Sequence, residues 1–260
     1  MNKIITCVSV EINKFFSSKV PIISLLSLTF VPFMGGFFMF VLKDPLLAKK
    51  LGFISTKANI VGTADWSSYI NLLTQAISIG GILVFGFITS WVFGREYTDK
   101  TIKDLLALPI SRNIIVISKF VLIILWCLIL SVHVLILGFI IGKIVNIPGF
   151  TPKIILDGIS LFIFCSSLTI LLSTPVALFA SISGGYLSPL AFTIFTLILA
   201  QIIAITGYGH LFPWSIPPLL SGIDGENVAI GIISILIVLL TSAFGILSTL
   251  LQWKYGDQNK

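Results

Sequence analysis

Long apolar blocks alternate with short polar connections along this chain, and the block lengths carry the first inference. A helix needs about 20 mainly apolar residues to cross the hydrocarbon core of a bilayer. Six runs meet that requirement: Val20–Leu42, Tyr69–Phe93, Phe120–Ile141, Ile154–Ile182, Leu187–Thr206 and Val228–Leu251. The last contains no charged side chain. The fourth has Asp157 near its start and Pro175 near its end, which predicts a kink. Ahead of the first run, residues 1–19 place Ile4, Ile5, Val8, Ile12, Phe15 and Phe16 at helical spacing, with Lys3, Glu11 and Lys14 at polar positions between them. That pattern predicts a helix lying in the membrane interface, or alternatively one packed on other protein. The stretch Ser183–Leu187 has room only for a hairpin. Residues 207–227 read GYGHLFPWSIPPLLSGIDGEN. There Pro213, Pro217 and Pro218 break helix while Phe212, Trp214 and Leu219 keep the stretch apolar. A pair of short re-entrant or interfacial helices fits, with Trp214 as a membrane anchor.

The expected fold is therefore an all-α integral membrane protein, one transmembrane domain over residues 1–260. It comprises an interfacial helix (1–19), six spans (20–42, 69–93, 120–141, 154–182, 187–206, 228–251), a connecting segment (94–119) and an outer broken segment (207–227). Composition agrees: 57% of residues are hydrophobic and 10% charged, against roughly 25% charged in soluble domains. The net charge of +6 does not point to nucleic acid, because the basic residues are scattered between apolar blocks. Cys7, Cys127 and Cys165 lack metal-ligand spacing. The first apolar run is longer than the roughly 7–15 residues of a signal-peptide core, so it is expected to be retained.

Six spans put both termini on one side. With that side inward, ten of the sixteen Lys and Arg residues fall on inner segments and six on outer ones. The positive-inside rule favours this orientation, although Lys43, Lys49, Lys50 and Lys57 in the first outer loop oppose it.

Between the second and third spans stands a charged island, WVFGREYTDKTIKDLLALPISRNIIVISKF, from Trp91 to Phe120. Thr98 can cap a helix beginning at Asp99. Ile102, Leu105 and Leu106 then share one face, with Lys100, Lys103 and Asp104 on the others. Pro109 stops this helix, Ser111 can cap the next, and Arg112 and Lys119 flank the start of the third span. Such a helix either lies on lipid headgroups or sets Leu105, Leu106 and Leu108 into a groove on a soluble subunit.

The order Glu96, Thr101, Leu105-Leu106, Pro109, Ser111-Arg112 and Lys119 resembles the signature of type-2 ATP-binding-cassette (ABC) permeases. Lys100 departs from it, standing where that family usually has glycine. The resemblance implies that residues 94–119 form a cytoplasmic coupling segment docking on a separate ABC ATPase. Its contact residues would be Glu96, Asp99, Thr101, Leu105, Leu106, Pro109 and Arg112. It also implies a second permease subunit, the same or a related chain, and an outer gate made by Phe212, Pro213, Trp214, Pro217 and Pro218. Within the family, the GREYTDKTIKDLLALPISR and FPWSIPPLLSG stretches are similar to permeases of bacitracin-type and lantibiotic-immunity systems. That implies export of an amphipathic peptide antibiotic or lipid-like compound from a bacterial plasma membrane.

Other chemistries find little support. The nearest match to a phosphate-binding loop, Gly138 to Ile144, has one spacer too few and no hydroxyl after Lys143. ATP and Mg are therefore expected on the partner, with no cofactor on this chain. Asp157 is the only carboxylate that suits an ion-coupled carrier, and an i,i+4 pair with Lys153 accounts for it. His133 and His210 form no metal or catalytic motif, and a polar contact between helices suits His133. No catalytic set emerges, so the chain is not expected to be an enzyme. Gly86, Ser90 and Gly94 permit close helix packing. Asn71, Gln75 and Gln201 either line a pathway or bond between helices. Two alternatives to a transporter subunit stand: a membrane sensor or scaffold partnered with an ATPase, and an ion-coupled transporter.

Overall fold

The computed structural model describes residues 3–44, 64–102, 105, 109–222 and 231–256. Expectations falling on Lys49, Lys50, Lys57, Lys103, Asp104, Leu106, Leu108 and residues 223–230 lie outside the described residues. The described helices are α1 (Lys3–Phe16), α2 (Val20–Lys43), α3 (Trp66–Thr98), α4 (Arg112–Ile144), α5 (Pro152–Leu172), α6 (Thr174–Ser183), α7 (Leu187–Ile205), α8 (Ile216–Leu220) and α9 (Ile232–Tyr255). Among the described residues, six helical segments are long and apolar enough to cross a membrane, α5 and α6 together making the fourth. That span is interrupted at Ser173, two residues before Pro175, whose ring nitrogen has no proton to give to the helix ladder.

α3 is the hub of the bundle and packs against α2, α4, α5, α6 and α7. α3 and α4 have 33 residues each, about 50 Å at 1.5 Å per residue, well beyond the ~30 Å hydrocarbon core. Much of the surplus falls at the charged island. α3 continues past the expected Phe93 to Thr98, and α4 begins at Arg112 rather than Phe120, so the connection shrinks to residues 99–111.

Small residues bring α3 against its neighbours. A Cβ on Gly94 would stand 2.8 Å from the Gly185 carbonyl, and one on Gly86 2.6 Å from Thr193 of α7. The Ser90 hydroxyl donates to the Tyr186 carbonyl at 2.7 Å. The Gly86, Ser90, Gly94 stripe thus serves packing within the subunit, against α7 and the 183–186 hairpin. That hairpin turns on Gly184, whose φ of +66° favours glycine. Gly138 and Gly142 pack on Leu73 and Trp66. His133 Nε2 lies 2.8 Å from the Thr29 hydroxyl, a polar contact between α4 and α2.

At the far end of the bundle from the island, residues 209–220 form two 3₁₀ turns, Gly209–Leu211 and Pro213–Ser215, followed by α8. Trp214 is no surface anchor. It is 9% exposed and packs on Phe192 and Phe212, in a second apolar core with Ile82, Leu168, Ile216 and Val238. Proline breaks keep this segment from spanning, and its apolar side chains find their cover inside the bundle. Lys43 has a local task at the same end. Its ammonium donates to the Val145 and Asn146 carbonyls at 2.9 Å, satisfying the C-terminus of α4. Lys153 and Asp157 do not pair as expected; both side chains are exposed, and neither has an ion-pair partner among the described residues.

Candidate coupling site

Lys119 lies seven residues into α4, two turns, and is 0% exposed. A buried ammonium is tolerable only when its charge and all three protons are matched. Here Nζ donates to Glu11 Oε2 of α1 at 2.9 Å, to Glu96 Oε1 of α3 at 2.9 Å and to the Val92 carbonyl at 3.2 Å. Glu96, 2% exposed, also receives the Lys14 ammonium at 3.1 Å and the Thr101 hydroxyl at 2.6 Å. Two carboxylates and two ammoniums therefore close a neutral cluster that joins α1, α3, α4 and the first residues of the connection.

Aromatic packing seals the membrane side of this cluster. Phe15 of α1 meets the edges of Trp91 and Trp126, and the Trp126 indole donates to the Ser24 hydroxyl at 3.1 Å. Arg95 lies over the Trp91 ring at 4.9 Å, donates to the Lys14 carbonyl and pairs with Asp99.

The other end of the connection is held as firmly. Arg112 Nη1 donates to the Trp253 carbonyl at 3.0 Å and to the Lys254 carbonyl at 3.4 Å. It thus places a cation at the negative end of α9. Trp253 is buried, donates its indole proton to the Ser181 hydroxyl of α6 at 2.9 Å, and meets Phe93 and Tyr97 of α3 edge-on. Displacement of residues 99–111 would thus act on α1, α3 and α4 through Glu96, and on α9 and α6 through Arg112.

Several expectations change here. Thr98 does not cap a helix at Asp99; it is the last residue of α3, and its hydroxyl donates to the Gly94 carbonyl. Asp99 is exposed and pairs with Arg95. Ser111 stands at the N-cap of α4 without a side-chain capping bond. Glu96 and Lys119 turn inward, because two long helices meeting at their polar ends leave each charge its best partner inside the subunit. α1 likewise buries Glu11 and Phe15 while Ile5, Val10 and Phe16 face outward. Of the other residues expected to contact the ATPase, Pro109 and Arg112 are exposed, Thr101 is half-buried, and Leu105 is half-buried against the main core beside buried Ile102. Ile102 and Leu105 are both helical.

Lys100 has φ +59°, the left-handed region where glycine carries no steric penalty. The resembling family signature usually has glycine at this position, the residue such a turn favours. Lys100→Gly is expected to stabilise the protein by about 0.5 kcal/mol, the relief of a left-handed Cβ less the extra freedom of the unfolded chain. A small rise in the thermal midpoint of the purified protein would record it.

Asn71, Gln75 and Gln201 are not gathered into one path. Gln75 donates to the Ser221 carbonyl at 3.3 Å, tying α3 to the end of the outer segment. Asn71 lies in a cleft beside Asp157, and Gln201 is exposed on α7 beside Ser215 and Pro218. Of the residues expected at an outer gate, Trp214, Pro217 and Pro218 are buried, while Phe212 and Pro213 are half-buried. Sequence reasoning missed Glu11, Lys14 and Trp253. The available signal was a lone carboxylate in an apolar amphipathic helix, together with a lysine at the very start of the third span.

Residues 7–200 match the family described as ABC-2 family transporter protein. The bacitracin transport permease protein BCRB of Bacillus licheniformis is 30% identical over 152 residues, covering 58% of this chain and 70% of that protein. A six-span helical bundle whose charged connection is clamped at both ends, and a family match over three quarters of its length, agree: this chain belongs to the ABC-2 family, as a multi-pass membrane permease subunit of an ABC transporter.

Proposed function

We propose that this chain exports an amphipathic peptide antibiotic or lipid-like compound, using ATP and Mg handled by a separate ATPase subunit. The observation that carries this reading is the two-ended clamp on residues 99–111. A docked motor that moved this connection would pull on α1, α3 and α4 through Glu96 and Thr101, and on α9 through Arg112. Asp99, Pro109 and Arg112 are exposed there and suit a docking surface, and the sequence pattern supplies Leu105 and Leu106 as its apolar part. Glu96 then acts as a positioning residue behind that surface and not as a contact.

The excess of Lys and Arg on the segments flanking the clamp supports a cytoplasmic position for it and for both termini, in a bacterial plasma membrane. Lys43 is a weaker counter-argument once it serves the C-terminus of α4. A second permease subunit would complete the path, with Phe212, Pro213, Trp214, Pro217 and Pro218 closing its external end. The substrate class rests on the similarity to a bacitracin transport permease. This chain itself binds no nucleotide in this reading.

Tagged protein purified in mild detergent, beside a Leu105→Asp, Leu106→Asp variant, tests the motor. An ATPase subunit is expected to co-purify with the unaltered chain and to be lost from the variant, with membrane insertion unchanged. An ATPase retained by the variant would remove residues 105–106 from the docking surface.

A further inference from the structure

Three polar side chains, two on α3 and one on α5, converge on one cleft. It has a volume of about 200 Å³, lies between the ends of α3 and α5 farthest from the coupling site, and is lined by Ser67, Asn71 and Asp157 among apolar residues. None of these three side chains bonds to another residue among the described ones. Gly158 allows the approach of the two helices, since a Cβ there would stand 2.8 Å from Ile70. Asn71 and Asp157 each lie five residues inside the start of their helix, about 7–8 Å along the axis. That depth is interfacial.

We propose that this cleft binds the primary ammonium headgroup of an aminophospholipid from the leaflet opposite the coupling site. A primary ammonium offers three donors, and the cleft offers three acceptors: the Asp157 carboxylate, the Asn71 amide oxygen and the Ser67 hydroxyl. Lys153 stands one turn outward from Asp157 on the same face of α5 without pairing with it, which leaves a separate cation to meet the lipid phosphate. The two unpaired opposite charges frame a zwitterion. The cleft is smaller than the roughly 300–1,000 Å³ of sites that enclose a whole drug-sized ligand, so it takes a headgroup only. Beside it Leu156, 72% exposed, and the exposed Ile163 and Phe164 offer apolar surface for the acyl chains. This site does not depend on the transport reading.

The full chain in phosphatidylglycerol nanodiscs, doped with equal small fractions of phosphatidylethanolamine and phosphatidylcholine, provides the test. Native mass spectrometry then counts the lipids retained. Phosphatidylethanolamine is expected to be retained about tenfold over phosphatidylcholine, the equivalent of one charge-assisted hydrogen bond. In Asp157→Asn, and separately in Asn71→Leu, that preference should fall below about twofold, with thermal midpoints in phosphatidylcholine discs unchanged. Equal retention of the two lipids by the unaltered protein, or an undiminished preference in both variants, overturns the proposal. Competition separates the sources. Displacement by dodecylamine but not by dodecyltrimethylammonium supports recognition of N–H donors, and equal displacement by both overturns it. Displacement by millimolar ethylammonium as effective as by dodecylamine would make the ligand a soluble amine and overturn the lipid assignment.

Discussion

Lys119→Met is expected to destabilise the protein by about 3–5 kcal/mol, the range for removing one partner of a buried ion pair. The substitution leaves Glu11 and Glu96 facing each other with no cation between them. Lys14 remains on Glu96, but its side chain is about one-third exposed and compensates a single carboxylate. Both glutamates are almost fully enclosed, so neither regains water. The measurement is the thermal midpoint and the folded yield of detergent-purified protein. A triple variant, Glu11→Gln, Glu96→Gln, Lys119→Met, separates charge from shape. It removes every charge that Lys119 balanced and is expected to recover most of the loss, because the desolvation cost goes with the charges. A single variant as stable as the unaltered protein would remove the cluster from the structural role assigned here. The recovered triple variant should still lose ATPase-coupled activity if Glu96 carries the connection's movement to α1 and α4.

Gly245→Val is expected to cost about 3 kcal/mol, at the upper end for overpacking a close-packed contact. A Cβ at this position of α9 would stand 2.6 Å from the Pro175 nitrogen and 2.8 Å from its Cα. Those are backbone atoms, so no side-chain rotation relieves the clash and the two helices must part. Parting them also strains the Thr174 hydroxyl, which lies 3.1 Å from both the carbonyl and the hydroxyl of Ser242. Gly80 provides the control, since a Cβ there meets nothing within 4 Å. Gly80→Ala should leave the thermal midpoint almost unchanged, while Gly245→Val lowers it sharply. Equal effects would mean that helix propensity, not the α6–α9 contact, governs both sites.

The two sites differ in how well the sequence announced them. Pro175 marked the break in the fourth span without help, because a missing backbone proton acts locally. Nothing in the sequence pointed from Gly245 to Pro175, since a close approach between helices depends on their relative rotation. The island shows the same division. Its position, its Leu105 and Pro109 punctuation and the family resemblance were readable from residue types in order. The side of the surface on which Glu96 and Lys119 lie was not. Both read as ordinary interfacial charges, and only the arrival of α1 with Glu11 turned them inward.

Hydropathy and spacing alone determined that this is a membrane protein of six spans with an amphipathic first helix and a charged connection. Those features follow from block length and periodicity, which the bilayer and the hydrogen-bond ladder read locally. The tertiary structure decided which charges pair, that Arg112 grips the end of the last span, that Trp214 is core rather than anchor, and that Asp157 passes over Lys153 to face a cleft with Asn71. Each of those depends on which helices become neighbours and how they are rotated, and a linear pattern of apolar and polar residues does not encode rotation between partners far apart in the chain.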